Sequence, residues 1–203
     1  MKSPGLNSPV PDAFFLQPCL ELAPQLLGKR LWRRQGKVEL LAEIVEVEAY
    51  LGERDPASHA FRKTERSSVM FERGGACYVY LSYGMNYCMN VVTGKEGVGE
   101  AVLIRAAAPI GALDRFYKNR GLDRSKPARL LMNGPGKLTQ ALGIDLKFNR
   151  TRYGEGDLAI VEGERSYSKA DIGRGRRIGI SKATEWDYRF WVKGSPWLSR
   201  KET

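Results

Sequence analysis

The sequence predicts one mixed α+β domain, and three observations predict it. Short runs rich in β-branched and aromatic residues are broken by glycine. A few other stretches space their apolar residues at helical period. No repeat or low-complexity linker divides the chain, and 203 residues with 42% hydrophobic content suffice to bury most of one domain's surface.

The elements follow in order. MKSPGLNSPVPDAFF lacks an apolar stretch of signal-peptide length, and residues 1–16 are expected to form a loosely ordered tail before a domain spanning 17–203. PCLELAPQLLGKRL has a helical apolar stripe, with Gly28 placed to end it. Gln35-Gly36-Lys37 then turns the chain into VELLAEIVEVEAY, which reads as a strand. In an extended backbone Val45, Val47 and Ala49 face one way and Glu46, Glu48 and Tyr50 the other, so two carboxylates and a tyrosine share a surface. Further strands are expected over 76–83, 87–92, 101–105, 158–161 and 189–192. Helices are expected over 111–119, over 127–132 and after Gly136.

Charge and cysteine content narrow the function. Lys+Arg 33 against Asp+Glu 23 gives a net charge of +10, which favours a polyanionic partner, nucleic acid ahead of an anionic membrane. Cys19, Cys77 and Cys88 form no CxxC pair and leave an odd thiol, so neither a zinc site nor a disulfide framework is indicated and a reducing compartment fits. No apolar run reaches membrane-spanning length.

Three stretches carry candidate chemistry. YVYLSYGMNYCMN, residues 78–90, reads as a hairpin with Tyr83-Gly84-Met85 at its tip, exposing Tyr83 and Met85. Such residues fit either ordinary surface side chains or a wedge pushed into a nucleic-acid groove while a nucleotide is extruded. Gly134, Gly136 and Lys137 precede a helical stretch, which suits a phosphate cradle or a plain turn. Arg174, Arg176 and Arg177 form a second basic cluster, suited to a phosphate-contacting or a merely solvated loop.

Taken together, EVEAYLG with His59 eleven residues after Glu48, MFERGGACYVYLSYGMNYCMNV, VLIRAAAP, NGPGKLTQALGI, and RIGI followed by RFWVKGSPWLS resemble the 3-methyladenine (alkyladenine) DNA glycosylases. These are monofunctional base-excision enzymes, and the likeness spans residues 20–199. The resemblance implies a curved, mainly antiparallel sheet flanked by helices, with the hairpin protruding. It implies Glu48 as general base on the hydrolytic water and Arg105 as the residue that helps hold that water. It places the flipped base between Tyr50 and the pair His59 and Tyr80, with Asn90 as a gate against normal guanine and Tyr83 in the place of the lost base. Hydrolysis needs a carboxylate to activate water and to offset oxocarbenium charge, and no metal or organic cofactor is required. The implied partner is double-stranded DNA with damaged purines, met by a monomer in the cytoplasm, nucleoid or nucleus.

The likeness has departures. Thr64-Glu65-Arg66 stands where relatives often have Thr-Pro-Arg, Arg176 where proline is frequent, and Asn86 where a bulkier aromatic occurs. A non-catalytic nucleic-acid-binding module would also explain charge and exposed tyrosines, whereas a zinc deaminase would need His-x-Glu and Pro-Cys-x-x-Cys, both absent. Gly134-Pro135-Gly136 mimics the turn of helix-hairpin-helix glycosylases, but that family is mainly helical.

Overall fold

The computed structural model describes residues 8–202. Among them lie the strands β1 (Arg30–Gln35), β2 (Val38–Leu51), β3 (Cys77–Ser82), β4 (Asn86–Thr93), β5 (Glu100–Ile110), β6 (Leu158–Val161), β7 (Ile172–Gly175) and β8 (Arg189–Val192). The helices are α1 (Cys19–Leu26), α2 (Leu113–Arg120) and α3 (Pro135–Leu142). All eight strands join one sheet, with β3-β4-β5-β2-β1-β6 in order, β8 added to β2 and β7 added to β8. Every pairing is antiparallel. The α+β class and the hairpin expected from the sequence are therefore present. No helix among the described residues is long and apolar enough to cross a membrane.

Strand β2 organises the sheet. Its first half pairs with β1, its later residues Glu46 to Glu48 pair with β8, and β5 runs along most of its length. Gly36, at φ +60°, permits the tight turn from β1. The alternation read from the sequence divides two buried faces, rather than a buried face from a wet one. Val45, Val47 and Ala49 join the main core with Leu22 and Leu26 of α1, Phe116 of α2 and Leu138 of α3. On the opposite face Glu46 and Glu48 are equally inaccessible, each with 0% exposure. Apolar burial on the first face drives the fold, at about 1.5–3 kcal/mol for each fully buried leucine. The second face must instead satisfy every charge it hides.

Two expectations change, and a third holds. Residues 1–7 of the proposed tail lie outside the described residues, but 8–16 are not loose. Pro9 bridges to Val161, Phe15 is 1% exposed, and the Phe15 carbonyl accepts a hydrogen bond from the Gly94 amide. Phe15 also stacks on Tyr153, so the packed domain begins before residue 17. The helix expected over 127–132 is only a 3₁₀ turn, Ala128–Leu130, because the chain then drops Leu131 and Met132 into the core. Helix α1 ends at Leu26, two residues past Pro24, and Gly28 follows it at φ +85° as the expected stop.

Candidate active site

A row of opposed residues crosses five strands: Tyr78 on β3, Asn90 on β4, Leu103 on β5, Glu48 on β2 and Arg189 on β8. Directly opposed residues in antiparallel strands project to the same face. Stepping two residues along each strand adds Tyr80, Cys88, Arg105, Glu46 and Tyr50. The register of β2 against β5 is irregular on both sides of Glu46, where Arg105 approaches the glutamates. A cavity of about 680 Å³ opens over this face, with Tyr50, His59, Tyr80, Asn90, Arg105 and Ile178 among its walls.

Glu48 lies just beneath the cavity floor. Its Oε1 accepts from the Ile178 amide at 2.7 Å, and its Oε2 accepts from the Tyr50 hydroxyl at 2.9 Å and from Arg105 Nη1 at 3.1 Å. All three donors belong to cavity-lining residues. Arg105 also donates its Nε to Glu46 Oε1 at 3.2 Å. Burial by itself would lower the Arg105 pKa, but Glu48 and Glu46 together raise it. Glu46 further accepts from Arg189 Nε at 2.8 Å, from the Ser199 amide at 2.6 Å and from Ser199 Oγ at 2.7 Å. Two buried carboxylates thus face two buried guanidiniums, and the cluster is neutral.

The aromatic walls are held from behind. Arg177 sits over the Tyr50 ring at 4.6 Å and over Tyr188 at 5.4 Å. It donates to the Ala49 carbonyl and forms a two-point ion pair with Asp55, both side chains being 0% exposed. This corrects the expectation that Arg177 contacts phosphate: the in-and-out alternation of burial along β7 continues two residues past its end and turns this side chain inward, where it braces Tyr50. Burial and then the Glu48 charge push the Tyr50 pKa well above its usual value, so this hydroxyl stays a donor.

The opposite wall is His59 against Tyr80, with ring centroids 4.5 Å apart. His59 Nδ1 lies 2.9 Å from the Tyr78 hydroxyl, and partial burial, then Arg66, lower its pKa. Asn90 is buried and donates Nδ2 to the Tyr78 carbonyl at 3.0 Å.

The hairpin tip stands clear of the domain. Tyr83 is 86% and Met85 76% exposed. Tyr83 has φ +50° and Gly84 φ +69°, and the Met85 amide closes the turn on the Ser82 carbonyl. A tyrosine in the left-handed region is strained, and such strain concentrates at functional positions. At the hairpin base Gly136 meets Asn86, where an added Cβ would lie 2.6 Å from the Asn86 Cβ. That glycine is therefore required for close packing of α3 on β4, independently of any phosphate. Gly134 caps α3, and exposed Lys137 donates to Asn133 Oδ1. Arg174 and Arg176 point outward on either side of Gly175, Arg174 resting its guanidinium over Phe190.

Of the residues singled out in the sequence, Tyr50, His59, Tyr80, Asn90 and Arg105 line one cavity, and Glu48 is bonded to two of them. Sequence reasoning missed the supporting groups Asp55, Tyr78, Arg189 and Ser199, and the Ile178 amide. Tyr78 was detectable two residues from Tyr80 on one strand face. Asp55 and Ser199 carried no local signal, because their partners lie 122 and 153 residues away.

The family model described as methylpurine-DNA glycosylase (MPG) matches residues 13–196. Similar proteins from Clostridium beijerinckii, Methanoculleus marisnigri and Carboxydothermus hydrogenoformans each bear the name "Putative 3-methyladenine DNA glycosylase". They are 44%, 43% and 42% identical to this chain, over 93%, 95% and 95% of it and 97%, 99% and 99% of their own lengths.

Proposed function

Because the chain belongs to the methylpurine-DNA glycosylase family, we propose that it is a monofunctional DNA repair enzyme that excises damaged purines from duplex DNA and leaves an abasic site. The observation that carries this reading is Glu48, a carboxylate removed from bulk water, fixed by three donors and seated directly below an aromatic-walled cavity.

In the proposed reaction a purine is turned out of the duplex and stacks between Tyr50 and the His59–Tyr80 wall. A water enters where the side chains of Tyr50 and Arg105 and the Ile178 backbone converge on Glu48. As the C1′–N bond breaks, its electron pair leaves with the purine, the water oxygen bonds C1′, and Glu48 takes the water proton. The negative carboxylate also opposes the positive charge that grows on the sugar. Arg105, anchored by Glu46, keeps Glu48 in place and offers a polar group to the water. Asn90 crowds the exocyclic amino group of guanine. Tyr83, with Met85 beside it, fills the vacated stack. Lys137, the backbone at Gly134 and Gly136, and exposed Arg174 and Arg176 approach DNA phosphates. The protein acts as a monomer on 3-methyladenine and related alkylated or deaminated purines.

The test is single-turnover base release from duplexes carrying 3-methyladenine or hypoxanthine, comparing the intact protein with Glu48→Gln at equal DNA occupancy. Release that collapses in the variant is expected. Tight binding without release of either base by the intact protein would refute the reading.

A further inference from the structure

We propose that Arg66 sets the charge preference of the cavity, favouring neutral purines over cationic ones. This rests on the glycosylase reading above and names a substrate class within it.

The charges around the cavity carry the inference. Arg105 and Arg189 are matched by Glu46 and Glu48, and Arg177 is matched by Asp55. Arg66 is different. It lines the cavity, holds its guanidinium 5.0 Å from the centroid of Tyr80 and donates Nη2 to the Leu81 carbonyl at 3.1 Å. Among the described residues it has no carboxylate within ion-pair distance. Lys182 on the same lining adds a charge of the same sign. The cavity therefore has a net positive wall behind one of its stacking surfaces.

That wall acts differently on two kinds of lesion. A purine cationic through alkylation meets like charge as it enters, and its positive charge is lost only as the glycosidic bond breaks. A neutral purine meets no such repulsion, and it gains negative charge as it leaves, which the guanidinium stabilises. The other polar group of that wall does not reverse the field. His59 has Nδ1 against the Tyr78 hydroxyl, and its lowered pKa keeps the ring uncharged near neutral pH. The preference thus comes from a residue in the loop before β3.

The experiment compares single-turnover release of hypoxanthine and 7-methylguanine from otherwise identical duplexes, using the intact protein, Arg66→Gln and Arg66→Lys. Arg66 is exposed, so neither change empties a core position. For Arg66→Gln the ratio of hypoxanthine to 7-methylguanine rates is expected to fall by about fivefold, a size suited to a solvent-screened charge acting across a ring. Arg66→Lys retains the ratio, because it retains the charge. An unchanged ratio in Arg66→Gln, whether both rates hold or both fall together, overturns the inference and leaves Arg66 as a structural or DNA-backbone contact. Release of neither base by the intact protein overturns the glycosylase reading, and the inference with it.

Discussion

Arg176 and Arg177 are adjacent, carry the same charge and are assigned opposite work, which makes them a sharp test of how the cavity is built. Replacing Arg177 by methionine keeps much of its volume but strands the Asp55 carboxylate at a site with 0% exposure. Breaking a buried ion pair on one side costs about 3–5 kcal/mol. Asp55 still accepts from the Leu51 amide at 3.2 Å and the Ala57 amide at 3.0 Å, which places the cost at the lower end. For a domain of this size each kcal/mol moves Tm by about 2–4 °C, so a fall of about 10 °C is expected. Exposed Arg176, replaced by glutamine, should change stability by less than about 0.5 kcal/mol. Its loss should instead reduce the slope of log Kd for DNA against log salt by about 0.9, the signature of one lost phosphate contact. Thermal unfolding followed by circular dichroism and fluorescence-anisotropy binding at several salt concentrations read the two effects separately. An Arg177→Met protein with unchanged Tm and a reduced salt slope would refute the assignment and return Arg177 to the DNA surface.

Tyr83→Gly should relieve the positive φ and raise stability by about 1–2 kcal/mol while base excision falls, and a drop in Tm would show that the turn holds no strain. Gly136→Ala should destabilise by about 1–3 kcal/mol, since its Cβ meets Asn86 at 2.6 Å; a neutral effect on chemical unfolding would mean the hairpin base yields freely. His59 is the single histidine, so its ring protons report one titration. Its midpoint should lie below 6.5 and rise in Arg66→Gln, and no rise would remove Arg66 as a contributor. Because the folded protein binds that proton less readily than the unfolded chain, the His59 contribution to stability is full above about pH 6.5 and lost on acidification below it, which unfolding at pH 5.5 and 7.5 would reveal.

The sequence exposed what local periodicity encodes. Alternation in VELLAEIVEVEAY assigned Glu46, Glu48 and Tyr50 to one face, and glycine beside tyrosine located the hairpin tip. It did not reveal that this face is buried. That depends on β8, on the Ile178 segment and on the chain near Ser199 covering it, and these lie far away in sequence. Arg177 failed for the same reason. In sequence it is one member of a basic cluster, and only its position after a strand with inward and outward alternation distinguishes it from Arg176. The packed segment before residue 17 was hidden because its polar, proline-rich composition outweighs two anchoring side chains, Val10 and Phe15.

A buried carboxylate proposed as general base poses a physical conflict, because burial favours the neutral acid and hydrolysis requires the anion. The fold draws donors to Glu48 from separate parts of the chain. The Ile178 amide comes from the segment after β7, the Tyr50 hydroxyl from the same strand, and Arg105 from the neighbouring strand. Arg105 in turn is held by Glu46, and Glu46 is held by Arg189 and by Ser199 near the end of the chain. The dependence is hierarchical, so damage at the outer layer should reach the base through orientation. Ser199→Ala removes one donor to Glu46 Oε1 and the hydroxyl that accepts from Arg105 Nε at 3.3 Å, but leaves the amide bond to Oε2, the Arg189 contact and both carboxylate partners of Arg105. Arg105 then remains paired, and base release should fall far less than in Glu48→Gln while DNA affinity stays the same. Equal losses in the two variants would mean that Ser199 acts directly in the cavity, and the layered arrangement would have to be abandoned.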